Sequence, residues 1–134
     1  MTTASLLLSQ IQKNVFRVDP QTIHQFADIY FNRASAILAM EGKDPYVTLQ
    51  VFAKQEGVLA GMAEVLDLCA RALPPSTPAR FEALPDGTMV YPWVPVLKIY
   101  APYRDIAPLE TLIIGILARR TLVASNARRI VEAA

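Results

Sequence analysis

The chain has one cysteine, one histidine and five glycines in 134 residues. A single cysteine, Cys69, excludes an internal disulfide, and together with the lone His24 it excludes a cysteine- or histidine-rich zinc site, which needs several nitrogen or sulfur ligands. One unaccompanied histidine also leaves no Ser/His/Asp triad to propose. The glycines form no phosphate loop of the G-x-x-x-x-G-K-[ST] kind. Charge is scarce too: 19% of residues are charged and the formal net charge is +1, with no broad basic stripe, so nucleic acid is not an expected partner. The most apolar run, Leu112 to Ala118, falls well short of the roughly 18 residues that a bilayer demands. Leu6-Leu7-Leu8 lacks the basic flank and longer apolar core of a signal peptide. The expected location is the cytoplasm, away from membranes.

What the chain has in excess is apolar surface. Its hydrophobic fraction is 53%, more than a single domain of this length easily hides, and the surplus reads as an interface.

Asp19-Pro20 starts a helix expected to run to about Met40, with Ile23, Phe26, Tyr30, Ala34, Ile37 and Leu38 as its inward stripe and Gly42 as its stop. Tyr46 to Ala53 is rich in Tyr, Val, Thr and Phe and reads as a strand. A loop at Gln55-Glu56-Gly57 leads to a helix from about Met62 to Ala72, with Val65, Leu66, Cys69 and Leu73 inward. Pro74, Pro75 and Pro78 forbid regular structure. Short strands are expected at Arg80–Leu84, Met89–Tyr91 and Val96–Tyr100 around an Asp86-Gly87 turn. The prolines that punctuate them (Pro85, Pro92, Pro95, Pro102) suggest an edge-like character. Pro108 to about Leu122 reads as a helix apolar on more than one face, which must be buried all round. Ser125 to Ala134 reads as a further helix or its continuation. The chain stops at Arg129-Ile130-Val131-Glu132-Ala133-Ala134 with no breaker or polar tail, an ending that looks cut.

Taken singly, the candidate residues have ordinary explanations. Gly57 and Gly61 read as backbone freedom, His24 as a surface residue and Cys69 as a small buried hydrophobe. Tyr30 reads as core and Asp28 as solvated, two residues apart and on different faces. Arg119, Arg120, Arg128 and Arg129 either complement a helix C-terminus or form an anion site.

Two stretches together resemble the nicotinate phosphoribosyltransferases, type II enzymes, and a segment between them resembles the related quinolinate enzymes. Val15-Phe16-Arg17-Val18 followed by Asp28-Ile29-Tyr30-Phe31-Asn32-Arg33 is similar to the family's D-x-Y segment. Lys54 to Gly61 resembles the E-D-G-V-x-A-G stretch of quinolinate enzymes. Ala83 to Pro92, Pro95 to Ile99, Leu109 to Leu112 and Ala124 to Ile130 match in order and spacing. The resemblance covers residues 15 to 134, with residues 1 to 14 as a leader. It implies an α+β fold, a small antiparallel sheet with packed helices in a hammerhead-like N-terminal domain, without the catalytic barrel that would bind phosphoribosyl pyrophosphate.

The same resemblance implies roles. Tyr30 matches an aromatic that stacks on the pyridine ring in a neighbouring subunit's site, and Asp28 the acidic residue beside it. Glu110 matches a glutamate at the start of the long helix. Thr111 stands where quinolinate enzymes place an arginine that reads an extra ring carboxylate, which favours nicotinate. Ser125 stands where threonine is usual, and Arg129 matches an arginine; Arg33, Arg119 and Arg120 complete the expected substrate-binding set. Gly115, Asn126 and Ala27 depart from the family's asparagine, lysine and threonine. No catalytic residue and no metal ligand is expected in this chain, and magnesium and ATP belong to the complete enzyme. Nicotinate, phosphoribosyl pyrophosphate and a second copy or a barrel domain are the expected partners. The alternatives are a standalone binding or assembly module, and a quinolinate-type or otherwise uncharacterised relative.

Overall fold

The computed structural model describes residues 22–134 and the backbone of Thr2–Thr3. Strand β1 (Thr2–Thr3) is followed by helices α1 (Ile23–Phe26) and α2 (Ile29–Met40), strands β2 (Tyr46–Phe52) and β3 (Gly57–Val58), and helix α3 (Met62–Ala72). Then come β4 (Arg80–Ala83), β5 (Met89–Val90), β6 (Pro95–Pro102), a short helix α4 (Tyr103–Ile106), a 3-10 turn (Ala107–Leu109) and the long helix α5 (Glu110–Ala133). Four strands form an antiparallel sheet in the order β1-β4-β6-β2, and β3 pairs with β5 in a separate two-stranded ribbon.

The sheet has two unlike faces because strand side chains alternate. Rows opposite one another in the register, such as Leu49, Ile99 and Phe81, turn towards the helices. Rows such as Thr48, Tyr100 and Arg80, or Gln50, Lys98 and Glu82, form the other face. There Arg80 pairs with Glu82 at 2.8 Å and stacks 4.0 Å from the Tyr100 ring centroid. Helix α3 places Met62, Val65, Leu66 and Cys69, the three- and four-residue spacing of one apolar stripe, against this sheet. Ile113 and Leu117 of α5 close the core.

The predicted helix over 62–72 is found at those bounds, and the turn at Asp86-Gly87 is confirmed by a φ of 87° at Gly87. Elsewhere the structure corrects the sequence reading. The first helix is broken: Ala27 and Asp28 take extended ψ values of 141° and 140°, which ends α1 and restarts the helical phase at Ile29. Phe31, 5% exposed, becomes the residue that α2 buries, while Tyr30, Ile37 and Met40 from the expected stripe and its end lie at 55%, 61% and 87% exposure. Pro20 lies outside the described residues. The expected 1–14 leader is represented by Thr2–Thr3, which pair with Ala83 and Glu82 as a strand of the sheet. Gly57, expected in a loop, opens β3. β6 is neither short nor at an edge: it runs for 8 residues between β4 and β2, with Pro95 and Pro102 at its two ends where a missing amide does least harm.

The last two expected helices are one helix of 24 residues. No Gly or Pro interrupts residues 116–133, and Ser125 is accommodated by donating its hydroxyl to Thr121 O at 2.6 Å. Nor is this helix buried all round. Ile114, Leu122 and Val123 are 45%, 61% and 61% exposed, while among the described residues its inner line of Ile113, Leu117 and Ser125 is buried and Leu112 and Ile116 are partly so. Among the described residues no helix is long and apolar enough to cross a membrane.

The ribbon and α5 meet closely. Val58 N–H donates to Ser125 Oγ at 2.9 Å, and Thr121 Oγ1 accepts from Ala60 N–H at 3.2 Å and donates to Ala60 O at 3.3 Å. A Cβ on Gly57 would stand 2.5 Å from Ser125 Oγ, and at Gly61, with φ of 95°, it would stand 2.9 Å from Arg120 Cγ. Asp86 reaches across to cap α3, accepting from Met62 N–H at 2.7 Å and Ala63 N–H at 3.2 Å.

Given this packing, Gly57→Ala should lower unfolding stability by about 1–3 kcal/mol through overpacking, measured by urea denaturation, and a wild-type value would refute the close approach. Burial pushes the Cys69 thiol up to about 12, so the native chain should resist thiol reagents at mildly alkaline pH and react once unfolded.

Candidate functional site

The break at Ala27–Asp28 gives the site its shape. It sets Asp28 at the N-cap of α2 and against the start of α5, where Asp28 N–H donates to Thr111 Oγ1 at 3.4 Å and Thr111 Oγ1 donates to Asp28 Oδ2 at 3.4 Å. The reading of Tyr30 as core is thereby overturned. Helical phase restarts at Ile29, so Phe31 points inward and the Tyr30 ring, 4.1 Å from that of Phe31 and tilted 39°, stands open to solvent.

Tyr30, Asp28 and Glu110 share one electrostatic environment, although sequence spacing alone had put Asp28 and Tyr30 on separate faces. Loss of water around its hydroxyl, then the charges of Glu110, Asp28 and Tyr103, raise the Tyr30 phenol above its ordinary value of 10.0. Partial burial and then the Asp28 charge raise the Glu110 carboxyl above 4.5. Two carboxylates beside an exposed aromatic plate make a site that can stack a flat ring, accept hydrogen bonds from it, and hold a proton on Glu110 more readily than a free glutamate would. Tyr103 joins this group and was missed from sequence because it followed a predicted strand; the Pro102-Tyr103 junction, where β6 ends and α4 begins, carries it there.

Of the other expected site residues, only Arg33 lies close to this group. Arg33 is exposed on α2, one turn beyond Tyr30. Arg119 is exposed in the middle of α5. Arg120 is bound to Glu64 through two hydrogen bonds of 2.9 and 3.3 Å, which raise its guanidinium further. Because α5 runs on to Ala133, neither Arg119 nor Arg120 sits at a helix C-terminus, and the dipole explanation does not apply to them. Arg128 pairs with Glu132 at 2.6 Å. Ser125 is buried in the ribbon–helix contact, its oxygen engaged by Val58 and Thr121. Arg129 borders an apolar cleft of about 380 Å³ between Phe52, Leu59, Leu117 and Leu122, with Lys54 and Glu56 at its rim.

The candidates therefore fall into two groups. At 1.5 Å per residue, Ser125 and Arg129 stand roughly 20–27 Å along α5 from Thr111, too far for one pyridine carboxylate to touch both within a single chain. Among the described residues there is no group of three His, Cys, Asp or Glu able to hold a metal.

A small antiparallel sheet with packed helices is the fold of the N-terminal domains of type II phosphoribosyltransferases. The chain belongs to the family described as quinolinate phosphoribosyl transferase, N-terminal domain, which matches residues 28–121. Among solved structures it is similar to nicotinate-nucleotide pyrophosphorylase from Pyrococcus furiosus, at 28% identity and a TM-score of 0.61, over 79% of this chain and 28% of that one. The human nicotinic acid phosphoribosyltransferase structure shares the fold, with a TM-score of 0.64 at 21% identity over 77% of this chain and 27% of that one. The nicotinate phosphoribosyltransferases of Bos taurus and Homo sapiens are each 36% identical over 75 residues, taking in 46% of this chain. The chain spans 14% of the length of those curated relatives.

The raised Glu110 carboxyl has a consequence for stability. A carboxyl that holds its proton more tightly when folded binds more protons in the native state between its ordinary value of 4.5 and its higher folded value, so its contribution falls as pH rises through that window. Glu110→Gln should remove this part of the pH slope. Urea denaturation of both proteins across the window checks it, and parallel slopes would refute it.

Proposed function

We propose that this chain is the substrate-side domain of a nicotinate phosphoribosyltransferase. In the reaction the ring nitrogen of nicotinate attacks C1 of phosphoribosyl pyrophosphate, the C1–oxygen bond to pyrophosphate breaks, and nicotinate mononucleotide forms for NAD biosynthesis. The observation that carries the reading is the exposed Tyr30 ring beside Asp28, Glu110 and Thr111. Tyr30 would stack on the pyridine ring of a site completed by another subunit, while Asp28, itself held by Thr111, would fix the edge of that ring. Stabilising the departing pyrophosphate, with magnesium, falls to a barrel domain, as does any use of ATP. Arg33 lies near enough to Tyr30 to meet the same ligand. Arg119 and Arg129, roughly 12 and 27 Å along α5 from Thr111, would serve a different contact from the ring. Arg120 and Ser125 support the fold under this reading, because Glu64 and the ribbon already occupy their polar groups.

The four curated relatives are nicotinate phosphoribosyltransferases by name, which supports the nicotinate reading. A quinolinate-type reading is supported by the family's description and by the Pyrococcus furiosus enzyme. Against it stands Thr111, which offers a hydroxyl already engaged by Asp28 where a second ring carboxylate would need a cation.

The deciding experiment assays the product of the whole coding sequence, whatever its length, with phosphoribosyl pyrophosphate and either nicotinate or quinolinate. Nicotinate mononucleotide from nicotinate alone is the expected result. Tyr30→Ala should then raise KM for nicotinate about five- to tenfold, the scale of one lost ring stack, and Tyr30→Phe should restore it. Product from quinolinate only, or no product from either ring, would overturn the proposal.

A further inference from the structure

Strand β2 has a neighbour on one side only among the described residues, since it ends the β1-β4-β6-β2 sheet. Its other edge is directed outward by a fixed alternation. Pro45 O accepts from Tyr103 N–H at 2.9 Å and Ala53 O accepts from Trp93 N–H at 2.9 Å, so odd-numbered residues turn their backbone groups to the β6 side. Tyr46, Thr48, Gln50 and Phe52 therefore direct theirs away from the sheet. The irregularity between Val51 and Phe52 loops out Val96 of β6 and leaves the alternation of β2 intact.

Edge strands are ordinarily blunted by charge, proline, brevity or a bulge of their own. The seven residues Tyr46-Val47-Thr48-Leu49-Gln50-Val51-Phe52 carry no charge, no proline and no glycine. Burial also falls away towards this edge. Leu97, Ile99 and Ala101 of β6 are fully buried, whereas the residues opposite them, Val51, Leu49 and Val47, are only half-buried on the same helix-facing side.

The strand is a chemical palindrome about Leu49. Tyr46 and Phe52 are aromatic, Val47 matches Val51, and Thr48 and Gln50 are both uncharged and polar. Antiparallel pairing with an identical strand about a two-fold axis at Leu49 would set Tyr46 against Phe52, Val47 against Val51 and Thr48 against Gln50. Thr48 and Gln50 would exchange both backbone bonds, as their outward groups allow. We propose that the β2 edge is a docking surface for a second copy of this chain, joined in this register into one continuous eight-stranded sheet.

Charge at the two polar positions tests both the surface and the register. Thr48→Glu with Gln50→Glu sets carboxylates directly opposite one another in the dimer, while in the monomer the one introduced at position 50 lies beside Lys98 across the β2–β6 pair. Thr48→Lys with Gln50→Glu sets opposite charges at the same places. Sedimentation velocity on the wild-type chain should show a monomer–dimer equilibrium at or below about 0.5 mM, the weak end for a small interface. The double glutamate variant should weaken it about tenfold or more, and the lysine–glutamate variant should bring it back to within about threefold of wild type. Circular dichroism confirms that each variant keeps the native helices. A variant that loses helix is replaced by Thr48→Pro, whose missing amide faces the outer edge and leaves the β2–β6 bonds in place, and which should also weaken association about tenfold or more. A wild-type chain that stays monomeric, association of any size that the double glutamate or the proline leaves intact, or a folded lysine–glutamate variant that fails to recover would each overturn the proposal.

Discussion

The contact between the Gly57–Gly61 backbone and the second half of α5 is the constraint on which the other elements depend. A helix can approach a strand this closely only where side chains on both sides give way, and here Gly57 supplies the space that Ser125 fills. Ser125 and Thr121 then satisfy backbone groups that the two-residue ribbon cannot pair for itself. Asp86 ties the same ribbon to the first turn of α3, and Glu64, on that first turn, reaches Arg120 of α5. Three elements distant in sequence are thus locked at one crossing. That crossing fixes where α5 begins as well as where it ends, and so sets Glu110 and Thr111 before α2.

The consequence for the candidate site is that α5 acts as a ruler. One end carries Thr111 and Glu110 against Asp28 and Tyr30; the other carries Arg129 beside an apolar cleft. Residues that a linear motif comparison gathers into one substrate-binding set are held apart by the rigidity of the helix between them. Ser125 and Arg120 stay in the middle and are spent on the crossing. The similarity of Ser125 to a family position is therefore compatible with a structural role, and the aromatic end of the ruler is where the Tyr30 ring lies open.

Much of this architecture was legible in the residues. α3 was readable because Val65, Leu66 and Cys69 follow one helical stripe, and the Asp86-Gly87 turn because glycine there adopts a positive φ. Tyr30 was not legible as an exposed plate from spacing alone. A helix drawn straight through Ala27 keeps Tyr30 in the inward phase, whereas the chain breaks at Asp28, where it meets Thr111, 83 residues further along. No local pattern encodes such a contact. The continuity of α5 was ambiguous for a different reason: Ser125 has low helix propensity unless its hydroxyl finds a partner, and the partners are Thr121 O on the preceding turn and Val58 N–H on another element. The family resemblance reached Asp28, Tyr30, Glu110 and Thr111 where periodicity could not, because it carries the outcome of long-range contacts without deriving them.

The excess of apolar residues has a spatial pattern that composition could only announce. Scattered single hydrophobes on a surface need no explanation. Here they fall on particular faces: Ile29, Tyr30, Ile37 and Met40 on α2, Leu122, Val123, Ile130 and Val131 on α5, and Phe52 with Trp93 where β2 meets the turn before β6. Trp93 holds a φ of 67°, a conformation that costs a non-glycine residue about 1 kcal/mol or more and that keeps its ring against Phe52 rather than in the core. Meanwhile the sheet's other face carries Arg80, Glu82, Lys98 and Tyr100, and there Arg80 pairs with Glu82 and stacks on the Tyr100 ring. Polar on one face of its sheet, the domain nonetheless exposes apolar side chains along α2 and α5 and at the Phe52–Trp93 pair, so its surplus of hydrophobic residues is gathered on particular faces.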